Sequence, residues 1–135
     1  MSECQSLLQQ FEALKISTPD FHHEEHVRVA FEMLNSYDFV EACSRYANTI
    51  QAMAQSAGAP EKYNTTITFA FMSLVAERKA NSDHTDVDSF LANNPHLLDR
   101  SLLDGWYSKE RLTSATARGQ FLLPDMGGRT ARPGS

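Results

Sequence analysis

The chain has 135 residues, 41% of them hydrophobic, and a formal net charge of -5. A chain of this length folds as one domain around a single core, which leaves no room for a separate catalytic domain. Its acidic charge supplies no basic surface for phosphates, and this argues against nucleic acid as a partner.

Helical spacing of apolar residues begins close to the N-terminus. Ser2 and Gln5 read as a capping box, and the apolar residues after them predict a first helix over about residues 3–15. Residues 16–20 combine a cap residue, a proline and an acid, which are typical of a helix N-terminus. We therefore expect a second helix to begin there or a few residues later and to end at 35–36. Its inward stripe would be Val27, Ala30, Phe31 and Leu34.

The next two helices are predicted from longer apolar stripes. A third helix should begin after Ser36 or Asp38 and end before Gly58 and Pro60. A fourth should run from about Glu61 to Ala80. The inward stripe of the third is Phe39, Ala42, Cys43, Tyr46, Ala47, Ile50, Met53 and Ala54, and that of the fourth is Tyr63, Ile67, Ala70, Phe71, Leu74 and Val75.

The C-terminal third is predicted to consist of short segments over 87–92, 97–107, 109–112 and 115–121, separated by turns or caps. Nothing before Asp125 alternates convincingly with the period of a strand. The fold class is therefore all-α, a compact bundle of about four main helices with short C-terminal helices packed over it. Residues 1–125 form this single domain, and 126–135 are predicted to be a disordered tail.

The second helix opens with three histidines and two acids, residues 22–26. His23 and His26 lie three positions apart and so share one helix face. His26 continues the apolar stripe, whereas His22 is expected to face outward. A partly buried imidazole suits proton transfer or metal ligation. His23 and His26 are therefore the candidate catalytic residues and also the candidate metal ligands.

A metal site would need more ligands than this pair. Transition metals normally take three or four protein ligands, and the spacing is one residue short of the stronger His-Glu-x-x-His motif. A metal-free acid–base role stays open. So does a structural role, in which the histidines make ordinary hydrogen bonds and nearby acids complement the helix dipole. Further ligands could come from Glu25, Glu32, Glu77, His84 and His96.

Two polar groups of residues are candidates for substrate binding. Tyr63, Asn64 and Thr68 make the inward face of the fourth helix polar at its N-terminal end, which forms a pocket with the histidines if the two helices are neighbours. The alternative is that the threonine bonds back to a helix carbonyl and Asn64 only starts the helix. Tyr107 and Arg111 could contribute a hydrogen-bond donor and an anion-binding group, or this aromatic segment could simply anchor the chain on the core.

Five short motifs occur in order between residues 18 and 125: Phe21-x-His23-x-x-His26, Lys62-Tyr63-Asn64-x-Thr66, Asn94-Pro95-x-Leu97-Leu98, Tyr107-Ser108 and Arg118-x-x-Phe121-x-x-Pro124-Asp125. Together they resemble a family of small, functionally uncharacterised bacterial helical proteins. The resemblance implies a pocket near His23, His26 and position 64. That family often has histidine where this chain has Asn64, and an amide is a poorer metal ligand and no base.

These observations lead to two functional hypotheses. The first is a small enzyme acting on a small organic molecule, with the histidine pair as acid–base groups or as partial ligands of Fe, Cu or Zn, and with or without a metal cofactor. The second is a non-catalytic helical module that binds a protein partner and has structural histidines. Few cysteines, no signal peptide and no long apolar run predict a cytoplasmic protein without membrane contact, and a homo-oligomer is compatible with either hypothesis.

Overall fold

The computed structural model describes residues 7–14, 22–81, 86–99 and 101–126. These ranges contain helices and turns without a strand, so the predicted all-α class is confirmed. The helices are α1 (Leu7–Glu12), α2 (His23–Ser36), α3 (Phe39–Ser56), α4 (Thr65–Ala80), α5 (Val87–Asn93), α6 (Lys109–Leu112) and α7 (Ala115–Gly119), with 3-10 turns at Pro60–Lys62 and Pro95–Leu98.

The central helix is α2, which packs against α1, α3, α4, α5 and the 3-10 turn at Pro95–Leu98. Because it has neighbours on most sides, its buried surface is wider than the predicted stripe and includes Val29 and Met33, while Leu34 is only partly buried. The ring of Phe31 packs against that of Phe90 in a tilted arrangement, with ring centroids 4.6 Å apart. Burying side chains of this size contributes roughly 1.5–3 kcal/mol each. The predicted compact bundle is formed by α1 to α4 around this core.

Side-chain caps determine where the helices begin. Asp38 accepts a hydrogen bond from the Glu41 amide and starts α3, as the sequence predicts. The predicted start of the fourth helix near Glu61 is four residues too early. Asn64 caps α4 by accepting from the Ile67 amide, and Pro60–Lys62 forms a separate 3-10 turn before it.

Two of the C-terminal segments differ from the prediction, since α7 ends at Gly119 rather than at residue 121 and the 97–107 segment is not one helix, whereas α5 and α6 lie within one residue of their predicted bounds. Instead of a helical segment over 97–107, the described residues form the 3-10 turn at Pro95–Leu98 followed by turns over 101–106, and the Asp99 carboxylate accepts from the Ser101 amide to close the first of them. Ser108 and Ser114 cap α6 and α7. Residues 120–126, the C-terminal strap, then run along α4 and the 106–111 segment.

Some predictions concern residues outside the described ranges. The start of the first helix, the N-terminal approach to the second, His84 and the tail after Met126 belong to this group. The end of the first helix is described, and it lies at Glu12 rather than near residue 15, because residues 13–14 form a turn in which Leu14 has a φ of 59°. Met126 itself donates its amide to the Trp106 carbonyl. Among the described helices, none is long and apolar enough to cross a bilayer.

Candidate functional site

A cavity of about 260 Å³ lies where α2, α3 and α4 meet. Its polar lining consists of two imidazoles, two phenols, one amine, one amide and one threonine hydroxyl, and the rest of its wall is apolar. The ends of α2 and α4 that carry the predicted polar residues therefore line the same space. The lining residues are His23, His26, Tyr46, Ile50, Lys62, Tyr63, Asn64, Ile67, Thr68, Phe71, Leu102 and Leu103.

His23 is the first residue of α2, and its Nε2 lies 2.7 Å from the carbonyl oxygen of Leu97. A carbonyl oxygen only accepts hydrogen bonds, so Nε2 carries the proton and donates it. In the neutral ring Nδ1 is then the unprotonated nitrogen. Its ring also lies 5.9 Å from that of Phe71, a pocket wall residue. The Leu97 contact therefore uses Nε2 of His23 and not Nδ1, which is the basic nitrogen.

The Leu97 carbonyl is held in place by the loop that carries it. Asn94 is buried and begins the 3-10 turn, and its amide group donates to the Phe90 carbonyl and accepts from the Arg78 guanidinium. This explains the Asn94-Pro95 pair structurally, since both residues shape the turn that presents the carbonyl to His23.

A carboxylate lies near His23 on the same loop. Hydrogen bonds from the Ser101 amide and hydroxyl lower the pKa of Asp99 below its usual value, and the charge of His23 lowers it further.

His26 lies one turn further along α2, and its Nδ1 is 2.7 Å from the Tyr46 hydroxyl. Tyr46 is 3% exposed, and this burial raises its pKa, so it remains a neutral phenol. A buried hydroxyl needs an acceptor for its proton, and the His26 ring is the acceptor that the described residues provide. Tyr46 therefore donates to Nδ1, which leaves the proton of the neutral His26 ring on Nε2.

The two rings thus have the same tautomer but are bound through opposite nitrogens. The protein engages the proton-bearing nitrogen of His23 and the unprotonated nitrogen of His26. In the neutral rings, Nδ1 of His23 is the unprotonated nitrogen and Nε2 of His26 carries the proton. One pocket is therefore lined by two imidazoles, and a neutral imidazole can accept or donate a proton.

The polar start of α4 combines the two roles that the sequence left open. Asn64 and Thr68 line the pocket, yet Asn64 also caps α4 and donates from Nδ2 to the Leu112 carbonyl at 2.7 Å. The Thr68 hydroxyl donates back to the Asn64 carbonyl at 2.7 Å. Tyr63 lines the pocket beside them.

Tyr107 and Arg111, the other two predicted substrate-binding residues, lie away from this pocket and hold the C-terminal strap. The Tyr107 hydroxyl donates to the Leu122 carbonyl at 2.8 Å, and Arg111 Nε donates to the Leu123 carbonyl at 2.7 Å. Thr66, fully buried, completes these contacts by donating to the Gln120 carbonyl and accepting from the Leu122 amide. In the described chain both predicted residues thus serve the anchoring role that was the alternative.

Two polar residues of the pocket lining, Tyr46 and Lys62, were not predicted to be part of the site. Tyr46 lies on the predicted inward stripe of α3, and a buried phenol normally requires a hydrogen-bond partner, which was the available signal. Lys62 precedes the predicted pair Tyr63 and Asn64 but lies on the 3-10 turn rather than on the helix. The Leu97 contact had no side-chain signal, because it is made by a backbone carbonyl.

The described residues contain no group of three or more His, Cys, Asp or Glu side chains placed to hold a metal ion. Glu25, one of the predicted further ligands, instead accepts from the His22 amide at the start of α2. The chain matches no protein-family model, no curated protein and no solved structure. The function is therefore inferred from the residues that line the pocket.

Proposed function

We propose that the chain is a small enzyme that transfers protons to and from a small organic molecule bound in the pocket, with His23 as the base and His26 as the acid. The observation that carries this proposal is the pairing of the two rings, which line one cavity and are held through opposite nitrogens. The cavity of about 260 Å³ lies just below the range typical of drug-sized ligands, which favours a smaller molecule.

The surroundings of each ring support its role. The Leu97 carbonyl accepts from Nε2 of His23, which leaves Nδ1 as the nitrogen that would accept a proton. Tyr46 donates to Nδ1 of His26, which leaves the proton of the neutral ring on Nε2. A positioned general acid or base typically contributes about 10²–10⁴-fold to a rate. Tyr63, Asn64 and Thr68 would orient the bound molecule from the α4 side.

A second candidate function is docking of a protein partner. It is favoured by exposed apolar side chains around the C-terminal strap, of which Phe121 and Leu123 are 44% and 69% exposed. A groove of about 150 Å³ between α4 and the strap, lined in part by Trp106, Phe121 and Pro124, adjoins them. In this hypothesis His23 and His26 would be structural, because both have protein partners.

A compound screen followed by single variants distinguishes the two hypotheses. Small organic molecules that shift the NMR signals of the His23 and His26 rings are tested for conversion. We expect His23→Gln and His26→Gln to lower kcat for any converted compound by about 10²–10⁴-fold, because each removes a proton-transfer group. The unfolding free energy, measured in urea, should change far less than the activation barrier.

His96→Gln is the matched control, because His96 is an exposed histidine outside the pocket lining. It should leave both kcat and the ring signals of His23 and His26 unchanged. Conversion by His23→Gln at the rate of the parent chain would reject the assignment of the base. A screen in which no compound reaches either ring would instead favour the docking hypothesis.

A further inference from the structure

The charges of the pocket lining differ from those of the whole chain. The chain has 17 acidic and 12 basic residues, yet the residues that line the pocket include one lysine, two histidines and no aspartate or glutamate. Asp99, the carboxylate near His23, is outside the lining and is bonded to Ser101. An anionic group entering the pocket therefore meets positive and neutral side chains.

Polarity also changes with depth in the pocket. Lys62 and Ile67 are exposed, whereas Tyr46, Phe71 and Leu103 are at least nine-tenths buried. The amine thus lies at the solvent end, and the deeper wall is largely aromatic and aliphatic. A ligand that matches this gradient keeps its charge in the wet end and places apolar atoms inside, which avoids taking a charge out of water.

Lys62 is suited to pair with such a charge. It ends the 3-10 turn that begins at Pro60, so its backbone is constrained. In the described part of the chain no ion pair joins Lys62 to a carboxylate, whereas Arg28 and Arg45 are each paired with two acids. The Lys62 amine can therefore pair with an anion in the pocket without first breaking an ion pair with an acid of the described residues.

We infer that the pocket binds a small carboxylate with an apolar body, the carboxylate at Lys62 and the body against Phe71 and Leu103. This inference rests on the proposed function and names the substrate class of the same site. A single amine at the rim matches a single negative charge, and the lining adds hydrogen-bond donors but no second lysine or arginine. The histidine pair then faces the body of the molecule rather than a second ionic group.

Three probes of similar size test the charge requirement: phenylacetate, phenylacetamide and phenethylamine. Each is titrated into the full chain at low salt, and binding is followed by the NMR signals of the pocket residues. We expect phenylacetate to bind about fivefold more tightly than the amide, the effect of an exposed ion pair, and phenethylamine to bind most weakly. Added salt should reduce the preference for the carboxylate.

Lys62→Gln should abolish the preference by weakening phenylacetate binding about fivefold while leaving the amide unchanged. Lys109→Gln is the matched control, because it removes the same charge from an exposed lysine outside the pocket lining and should preserve the preference.

Equal affinity of the acid and the amide in the parent chain would overturn the carboxylate assignment but leave the proposed function standing. So would a preference that persists in Lys62→Gln. Failure of all three probes to shift any pocket signal would overturn this inference, and the screen with the histidine variants would then decide the proposed function separately.

Discussion

The pocket and the C-terminal strap are built from similar polar residues but differ in how those residues are satisfied. At the strap, Thr66, Tyr107 and Arg111 each bond to the main chain of residues 120–123. In the pocket, each histidine forms a hydrogen bond with the protein through one ring nitrogen, and its ring also lines a cavity. The strap residues therefore hold the chain in place, whereas the two imidazoles also face an open space.

Asn64 connects the two regions. Its side chain caps α4 next to the pocket and donates to the Leu112 carbonyl at the end of α6, which leads into the helix before the strap. The pocket wall and the C-terminal segments thus share one amide group. Substitutions that affect only one of the two regions therefore test the comparison most directly.

The largest expected effect on stability comes from Thr66→Val. The change keeps the shape of a fully buried side chain but leaves the Gln120 carbonyl and the Leu122 amide without their partner. Gln120 is exposed and Leu122 is partly buried, so water can satisfy part of this loss, and the unfolding free energy should fall by roughly 1–3 kcal/mol. Urea denaturation measures this loss, and the ring signals of His23 and His26 should remain as in the parent chain.

Thr68→Val is the matched control on the same helix. Its hydroxyl donates to the Asn64 carbonyl, which also accepts from the Thr68 amide, so no backbone group loses its last partner. We expect a loss below about 1 kcal/mol. If the two variants were equally destabilised, the distinction between strap and pocket hydroxyls would fail.

A smaller effect on stability, but a specific one on the pocket, is expected from Tyr46→Phe. Removing the hydroxyl takes away the donor to His26 Nδ1, at a cost of roughly 1–2 kcal/mol. The proton of the His26 ring should then be found less often on Nε2 than in the parent chain, and long-range ¹H–¹⁵N NMR spectra report which nitrogen carries it.

Tyr107→Phe provides the comparison, because it removes a hydroxyl that donates to the Leu122 carbonyl in the strap. It should cost a similar free energy and leave the His26 tautomer unchanged. A His26 ring that keeps its tautomer in Tyr46→Phe would show that Tyr46 does not determine it, and the assignment of His26 as the acid would lose its basis.

The sequence predicted the periodic features of the fold better than the individual contacts. Helical spacing and the capping residues Asp38, Ser108 and Ser114 were sufficient for the all-α class and for several helix starts. The shared face of His23 and His26 also follows from spacing, because three residues make nearly one turn. Local patterns determine these features, so one sequence is enough to read them.

Contacts between distant segments were not readable in the same way. Arg111 was a candidate for anion binding because arginine often has that role. Only the tertiary structure shows that its Nε donates to a carbonyl of the strap. The Leu97 carbonyl that orients His23 lies 74 positions away in sequence and carries no side-chain signature. Long-range partners of this kind depend on the tertiary fold, which periodicity does not specify.

The smallest effects compare two carboxylates, Asp125 at the strap and Asp99 near the pocket. Hydrogen bonds from Ser108 to Asp125 and from Ser101 to Asp99 lower both pKa values. A carboxylate whose folded pKa is below its unfolded value of about 3.9 stabilises the fold above that pH, and the contribution is lost as pH falls through the folded pKa. Asp125→Asn should therefore lower Tm slightly at pH 7. As the pH is lowered from about 6 to about 2, Tm should fall less in this variant than in the parent chain.

His23→Gln separates the two carboxylates, because the charge of His23 contributes to the lowered pKa of Asp99, whereas the causes of the Asp125 shift lie at the strap. Carboxyl ¹³C titration of this variant should give a slightly higher pKa for Asp99 and the same pKa for Asp125. An Asp99 pKa that does not move would mean that the carboxylate and the ring do not interact appreciably.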